Sequence, residues 1–294
     1  MIIIDVPKMF QPHYKSVYPS YSSGEHMEEM IHKMFLSYNN NINTDYIYLP
    51  IYWTSYYILN NYGASNMDIL YNYLDTLYNE YKEKKFFTIS QYDEGVFVKD
   101  FKLNLIVFSA GGGGKNIKKF NINYYNDTKG DIDIPLLVTP NLDKIENTKK
   151  DIFCSFMGSY TTHPIRRKIY NIYSDNKKFI FLNPQSTNVY NQILHRSIYT
   201  LCPRGYGYTS YRLFEAINAG SIPIYIWDNE VILPYNDIIN WNDFAIVINS
   251  KDIHNIDNIL SDVDIIEKQN NLNKVKFMFK FEYLIKYIIE KISS

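Results

Sequence analysis

Apolar positions in the first 140 residues follow two different spacings. They recur at helical intervals within 24–38 and again within 66–85, which ends in lysines that suit a helix C-terminus. Short runs rich in β-branched and aromatic residues are typical of strands. Such runs occur at 2–5, 45–49, 85–90, 103–109 and 132–140. Helices that alternate with strands in this way predict a parallel α/β sheet.

A polar stretch, 141–150, has no hydrophobic face, and we place a domain boundary there. Beyond it the alternation of strands and helices begins again. Strands are predicted at 151–158, 177–183, 198–203, 221–226 and 242–249, and helices at 163–175, 187–197, 209–219 and 273–292. The predicted fold class is α/β, with two Rossmann-like domains that face a crevice. Their bounds are 1–140 and 141–275, and 276–294 is a C-terminal helix able to cross back to the first domain.

Charge and composition exclude several classes of function. The chain has 294 residues and a net charge of −1, which gives no electrostatic basis for binding nucleic acid or an anionic membrane. The N-terminus holds three consecutive isoleucines, too few for a signal peptide, and no run approaches about 18 apolar residues. We therefore expect a soluble, cytoplasmic protein with no transmembrane segment. Its two cysteines form neither a disulfide framework nor a zinc-binding spacing.

The segment 202–226 combines features of an anion-binding site. It reads CPRGYGYTSYRLFEAINAGSIPIYI, so a predicted strand leads into a loop with two glycines, where a backbone can approach a ligand closely. Thr209 or Ser210 is a suitable N-cap for the helix that follows. The free N–H groups of a helix N-terminus attract anions, and Arg204 and Arg212 could add bidentate contacts to phosphate.

Glu215 lies one turn beyond Arg212 on the same helix face. It falls outside capping-box spacing from Thr209 and from Ser210, so capping does not explain it. Its carboxylate is placed to accept hydrogen bonds from ribose hydroxyls. A plain strand–loop–helix turn with an Arg–Glu pair on its surface accounts for the same residues. The pattern alone leaves both interpretations open.

The same block resembles the conserved segment of the exostosin family of glycosyltransferases. Residues 197–248 contain the CPRG-type turn, the T-S-x-R-L-x-E-A helix, the A-G-x-I-P strand and a trailing L-P…I-x-W. Residues 151–170 are similar to the family's strand with a Gly-Ser pair and a following arginine. The resemblance is specific over the C-terminal half of the chain and loose over 1–140.

The resemblance implies a GT-B fold and inversion at the anomeric carbon of a transferred sugar. It also implies a nucleotide-sugar donor in the C-terminal domain, which we expect to be a UDP-sugar, and a glycan acceptor in the N-terminal domain. No cofactor and no metal held by an Asp-x-Asp motif are expected. The residues assigned to the nucleotide sugar are Ser159, Arg166, Arg204, Gly205, Tyr206, Gly207, Thr209, Ser210, Arg212 and Glu215. His163, in the loop after the Gly-Ser pair, is a further candidate for contact with donor phosphate.

Candidate groups for the acceptor follow two predicted strands of the N-terminal domain. Asp93 and Glu94 lie directly after one strand, in a loop closed by Gly95. Either carboxylate could deprotonate an acceptor hydroxyl, and an acidic turn with glycine in its last position fits the same residues. Tyr52 and Trp53 follow another strand and are candidates for stacking on sugar faces, although aromatic residues there are more often core.

The glycine run within 107–120 departs twice from a phosphate-binding P-loop. A P-loop with its lysine at Lys115 requires glycine at 109 and Ser or Thr at 116. Ser109 and Asn116 stand at those positions. We interpret the segment as a flexible loop at a strand end in the acceptor-binding domain.

Two Asp-x-Asp pairs raise the alternative of a manganese-dependent transferase of the GT-A class. Asp131 and Asp133 precede a predicted strand, 134–139, and Asp262 and Asp264 lie in a polar segment. Metal-binding carboxylates of this kind belong at a strand end beside the nucleotide, so we expect neither pair to bind a metal. A further alternative, from another class of function, is an inactive protein that binds a nucleotide sugar or a glycan.

Overall fold

The chain divides into two compact units. The computed structural model describes residues 1–16, 24–38, 42–98, 102–113, 127–138, 148–184 and 186–293. Unit 1 comprises Met1–Thr139 and Phe281–Ser294, and unit 2 comprises Pro140–Lys280. Most of the predicted boundary segment, 141–147, and the end of the glycine-rich segment, 114–120, lie outside the described residues.

The described strands of unit 1 are β1 (Ile2–Ile3), β2 (Tyr46–Tyr48), β3 (Lys85–Ser90), β4 (Val96–Val98), β5 (Asn104–Ser109), β6 (Asp127–Lys129) and β7 (Ile132–Asp133). Five of them form a parallel sheet in the order β1-β2-β3-β5-β7. A separate antiparallel pair is formed by β4 and β6. The helices are α1 (Met27–Tyr38), α2 (Trp53–Leu59), α3 (Met67–Glu80) and, from the end of the chain, α9 (Phe281–Ser293).

The strand predicted at 134–139 is wrong, because β7 ends at Asp133. The N–H of Ile134 still donates to the carbonyl of Ser109 at 3.0 Å. Pro135 follows and has no N–H, so the ladder of hydrogen bonds stops there. Asp133 therefore lies inside a strand, at its carboxyl end, and not ahead of one.

Trp53 belongs to the core of unit 1, which corrects the prediction that it stacks on a sugar. Its side chain is 0% exposed, and it begins α2, a helix that the sequence pattern did not predict. The indole Nε1 donates to the hydroxyl of Thr88 at 2.8 Å, and that hydroxyl donates to the carbonyl of Leu49 at 2.7 Å. Because no part of Trp53 is exposed, a sugar has no face of its ring on which to stack.

Unit 2 is built on a second parallel sheet. Its described strands are β8 (Ile152–Met157), β9 (Phe179–Leu182), β10 (Ser197–Pro203), β11 (Ile222–Trp227) and β12 (Ile246–Asn249). They lie in the order β12-β11-β10-β8-β9. The helices are α4 (Pro164–Tyr173), α5 (Thr187–Arg196), α6 (Tyr211–Asn218), α7 (Ile256–Ser261) and α8 (Ile265–Val275). The predicted fold class, α/β with two Rossmann-like domains, is confirmed.

The single long helix predicted at 273–292 is two separate helices. A 3-10 turn, Lys276–Met278, separates α8 from α9. Phe279 is buried next to that turn, with its ring 5.4 Å from Trp241 and 5.9 Å from Phe214. Unit 2 thus holds the chain at Phe279, and the apolar periodicity alone does not reveal this break. Within the described part of the chain, no helix is both long enough and apolar enough to cross a bilayer.

Replacing Trp53 with alanine is expected to destabilise unit 1. Removal of a fully buried tryptophan leaves a cavity that typically costs about 3–5 kcal/mol of unfolding free energy. Tyr38→Ala, at a position 44% exposed, is the control and is expected to change stability by less than about 0.5 kcal/mol. Denaturant unfolding of both variants measures the difference, and a Trp53→Ala variant as stable as the wild type would contradict this core assignment.

Candidate active site

The candidate site of unit 2 lies where its parallel strands end. Met157 ends β8, Pro203 ends β10 and Trp227 ends β11, and parallel pairing brings these carboxyl ends to one edge of the sheet. Ligands of α/β sheets bind outside this edge. The residues assigned to the nucleotide sugar follow β8 and β10, in the loops after these strands and in α4 and α6.

Arg204 holds together the loop that contains the two glycines. Its Nε donates to the carbonyl of Gly207 at 3.1 Å, and its Nη2 donates to the carbonyl of Tyr206 at 2.9 Å. Its Nη1 lies 3.0 and 3.3 Å from the two carboxylate oxygens of Asp228, and its guanidinium lies 4.5 Å from the ring centre of Tyr208. Each nitrogen of this guanidinium therefore already donates within the protein. The structure gives Arg204 the role of bracing its loop, and its direct contact with phosphate stays a prediction.

Asp228 is a residue of the site that the sequence reasoning missed. It follows β11 directly, and one of its oxygens lies 3.6 Å from Nε2 of His163. His163 caps α4, since its Nδ1 accepts from the N–H of Ile165 at 3.4 Å. Burial, with Arg204 nearby, lowers the pKa of His163. The signal available in the sequence was an acidic residue two positions after a predicted strand, similar to the signal that indicated Asp93.

Arg166 joins the loops that follow β8 and β10. Its Nε donates to the carbonyl of Arg204 at 2.8 Å, and its Nη1 donates to the carbonyl of Ser159 at 3.2 Å. The hydroxyl of Ser159 is exposed and pairs with that of Thr161 at 2.8 Å. The sequence-predicted residues Ser159, Arg166 and Arg204 therefore come together in space.

The backbone conformation of the loop does not require glycine at position 205 or 207. Neither Gly205 nor Gly207 has a positive φ, and a Cβ at Gly205 would meet no neighbour closer than 3.4 Å. The N–H of Gly205 donates to the carbonyl of Thr209 at 3.1 Å and so closes the loop, while Tyr206 at its tip is 79% exposed. The close approach of a ligand to this loop, predicted from its glycines, remains a prediction.

Arg212 is a buried cation whose hydrogen bonds are incomplete. It lies in the first turn of α6 and is 4% exposed. Its Nη2 donates to the carbonyl of Met157, and its guanidinium lies 4.4 Å from the ring centre of Phe156. Its Nε and Nη1 have no partner among the described residues. Gly158 makes room for the side chain, because a Cβ at that position would clash with Nη2 of Arg212.

Two hydroxyls beside Arg212 are also unpaired. α6 begins at Tyr211, two residues later than predicted, and Ser210 occupies the N-cap position without a side-chain capping bond. The hydroxyl oxygens of Thr209 and Ser210 are buried and have no partner within the described ranges. A buried polar group left unpaired costs about 1–3 kcal/mol, so native proteins rarely keep several together. The cluster of Thr209, Ser210 and Arg212 at a helix N-terminus is therefore suited to a polar, anionic ligand.

Glu215 completes this cluster one turn along α6. It is buried like Arg212, which excludes the alternative of an Arg–Glu pair on the surface. Burial raises the pKa of Glu215 to about 8. The hydroxyl of Tyr190, in α5, donates to its Oε2. A carboxyl group in this setting can accept hydrogen bonds from ligand hydroxyls, as the sequence indicated.

The acidic turn of unit 1 has the geometry that its sequence predicts. It follows β3, and the N–H of Gly95 donates to the carbonyl of Tyr92 at 2.9 Å. Gly95 has a φ of +76°, a conformation that glycine adopts without strain. Asp93 and Glu94 occupy the two central positions and are half-buried. Their role as a base stays a prediction.

Around the start of α1, several polar side chains are buried or paired in a way that the sequence did not predict. His26 and Glu28 are buried at the start of α1, and Nδ1 of His26 lies 3.1 Å from the hydroxyl of Ser55. The hydroxyl of Tyr52, a predicted acceptor residue, lies 3.0 Å from Nδ1 of His32, and burial raises the pKa of Tyr52 to about 12. Acidic residues in the first turn of an amphipathic helix are usually exposed, so the pattern carried no sign of this burial.

The Asp-x-Asp pairs have structural partners. Asp131 accepts a hydrogen bond from the N–H of Val107 at 2.7 Å, and Asp264 caps α8 by accepting from the N–H of Glu267 at 3.0 Å. Among the described residues, no three His, Cys, Asp or Glu side chains come together in a group that could hold a metal ion.

Curated relatives match part of the chain. A probable glucuronosyltransferase of Oryza sativa subsp. japonica is 29% identical over 141 residues, which are 44% of this chain and 33% of that protein. The probable β-1,4-xylosyltransferase IRX10L of Arabidopsis thaliana is 31% identical over 141 residues, which are 43% of this chain and 34% of that protein. The chain thus spans about a third of the length of these relatives.

Solved structures and a family model match over a larger part of the chain. The GtfA/B complex aligns with a TM-score of 0.43 and 10% identity, and it covers 90% of this chain and 60% of that chain. The pneumococcal O-GlcNAc transferase GtfA in complex with UDP and GlcNAc aligns with a TM-score of 0.40, at the same identity and coverage. The Exostosin GT47 domain model matches residues 3–263. Because that match covers most of the sequence, the chain belongs to the exostosin GT47 family.

Proposed function

We propose that this chain is an inverting glycosyltransferase that moves a sugar from a nucleotide sugar to a hydroxyl of a glycan. The donor that we propose is a UDP-sugar. The observation that carries the proposal is the group of buried, unpaired polar atoms on Thr209, Ser210 and Arg212 at the N-terminus of α6. Membership of the exostosin GT47 family and the transferase names of its relatives support the same activity.

In this proposal the diphosphate of the donor lies at the N-terminus of α6. Nε and Nη1 of Arg212 donate to its oxygens, as do the two hydroxyls and the free N–H groups of the first turn. Glu215 accepts hydrogen bonds from the ribose hydroxyls. Arg204, Arg166 and Asp228 hold the surrounding loops in place, so the donor meets a site that is already formed.

Transfer is then a single displacement. The acceptor oxygen attacks the anomeric carbon from the face opposite the nucleotide, and the bond from that carbon to the phosphate oxygen breaks with its electron pair on the diphosphate. Asp93 or Glu94 takes the proton of the acceptor hydroxyl, a contribution worth about 10²–10⁴ in rate. Arg212 and the helix N-terminus stabilise the charge that develops on the departing diphosphate, so the proposal requires no metal ion.

A panel of nucleotide sugars tests the proposed activity. Thermal shift first identifies which compound stabilises the protein, and release of the free nucleotide then measures hydrolysis or transfer. We expect stabilisation and turnover with a UDP-sugar, unchanged when EDTA replaces manganese. Nucleotide binding without turnover on any sugar or acceptor would make the chain a binding protein. Loss of binding on chelation would replace the metal-free step with a manganese-dependent one.

Arg212→Met is expected to weaken UDP binding without reducing the stability of the free protein. Loss of charged hydrogen bonds worth about 1.5–3 kcal/mol corresponds to roughly 10- to 150-fold in Kd. The melting temperature should not fall, because the substitution removes a buried cation with unpaired nitrogens. Arg196→Met is the matched control, since Arg196 is exposed and paired with Asp151 at 2.8 Å. Calorimetry with UDP decides, and equal affinity in all three proteins would place the diphosphate elsewhere.

UDP binding is expected to depend on pH through Glu215. Its pKa of about 8 means that the carboxyl is mostly protonated at pH 7, whereas ribose hydroxyls that donate to it favour the ionised form. Binding must then release a proton, and affinity should rise with pH up to about 8, by at most about tenfold per pH unit, and level off above. Titrations of the wild type and of Glu215→Gln between pH 6 and 9 isolate this effect. Parallel curves for the two proteins would show that Glu215 does not couple to the ligand.

A further inference from the structure

We propose that Glu28 is a positioning residue that fixes Gln91, the residue directly ahead of the acidic turn 92–95 in unit 1. The inference rests on the proposed function, since that turn carries Asp93 and Glu94. Glu28 is the second residue of α1 and is 1% exposed. It lies distant in sequence from the turn and does not belong to the residues that the acceptor was predicted to meet.

Among the described residues, the side-chain hydrogen bonds of Glu28 converge on one carboxylate oxygen. Oε1 accepts from the hydroxyl of Thr54 at 2.7 Å, from the N–H of Thr54 at 3.2 Å and from the N–H of Gln91 at 2.9 Å. Oε2 is buried and has no partner among the described residues. Since a buried carboxylate is costly unless it is hydrogen-bonded, Oε1 ties the first turns of α1 and α2 to the end of β3.

Gln91 connects that oxygen to the acidic turn. It is the residue between the end of β3 and Tyr92, where the turn begins. The side chain of Gln91 is held as well, because the N–H of Met27 donates to its Oε1 at 2.8 Å. The first turn of α1 therefore fixes both the backbone and the side chain of the residue that leads into the turn.

The turn is also held by backbone packing against the glycine-rich segment. A Cβ at Gly111 would lie 2.6 Å from the carbonyl oxygen of Tyr92, and a Cβ at Gly113 would clash with the backbone of Glu94 and Gly95. The N–H of Gly113 donates to the hydroxyl of Ser109 at 3.2 Å. The glycine-rich segment thus packs along the turn from Tyr92 to Gly95, and Glu28 fixes Gln91, the residue ahead of it.

Because only one oxygen of Glu28 accepts hydrogen bonds from the described residues, substitutions that keep either its reach or its charge distinguish a positioning role from a catalytic one. Glutamine keeps the reach of Glu28 and can present its carbonyl oxygen to the three donors, with its amide at the position of Oε2. Aspartate keeps the negative charge but is one methylene shorter, so it cannot hold the N–H of Gln91 in the same place. A positioning role requires the reach, whereas a role as base, or as a charged ligand of the acceptor, requires the charge.

The experiment compares Glu28→Gln, Glu28→Asp and Thr54→Val, with turnover measured on the substrates that the wild type uses. Glu28→Gln is expected to keep kcat within about threefold. Glu28→Asp is expected to lower kcat by about 10² or more, within the range of about 10²–10⁴ that the base contributes, with donor KM and UDP affinity unchanged. Thr54→Val removes a bond to the same oxygen without touching Gln91, and it should lower stability while turnover persists.

Hydrogen exchange at the amide of Gln91 gives a readout that does not depend on activity. Exchange should become faster in Glu28→Asp and should stay slow in Glu28→Gln and Thr54→Val. Loss of turnover in Glu28→Gln with its fold intact would overturn the proposal, and so would unchanged exchange and turnover in Glu28→Asp. If the wild type transfers no sugar, the proposed function fails, and the exchange data still decide whether Glu28 holds the turn.

Discussion

Parallel pairing of the strands is the constraint on which the rest of this structure depends. Each parallel pair needs a crossover that returns the chain to the same edge of the sheet, so all strands of a parallel sheet end along one side. Ser90, Ser109 and Asp133 meet in this way in unit 1, through the register that pairs Ser90 with Ser109 and Ser109 with Asp133. In unit 2 the same rule collects Arg166, Arg204 and Arg212 from segments distant in sequence.

Buried charges play two different parts in this structure, and the difference follows their proposed roles. Oε1 of Glu28 and the guanidinium of Arg204 are bonded to the backbone and side chains around them, so they stabilise loops. Arg212 keeps unpaired nitrogens in a buried place, an arrangement that lowers stability unless a ligand completes it. A site that holds an anion tightly must carry some of this cost when it is empty.

Much of the fold was predictable because its signals are local. Apolar periodicity indicated the strands of both sheets, and the polar stretch 141–150 indicated a division into two domains. The exceptions have tertiary causes. Pro135 ends β7 early because it lacks an N–H, and Phe279 interrupts the last helix because its ring is buried beside Trp241. The helix that begins at Trp53 was not predicted, because its buried residues lie on all of its sides and form no single apolar face.

The sequence by itself determined the family resemblance, the two-domain α/β organisation and most of the residues that gather at the N-terminus of α6. These depend on residue type and spacing along one continuous segment. Only the tertiary structure decided which arginine is already paired, since Asp228 lies 24 positions from Arg204. It also decided that Trp53 is core and that Glu28 is buried beside Gln91, 63 positions away. Partners so distant in sequence leave no local pattern, because burial and pairing are properties of the packed chain.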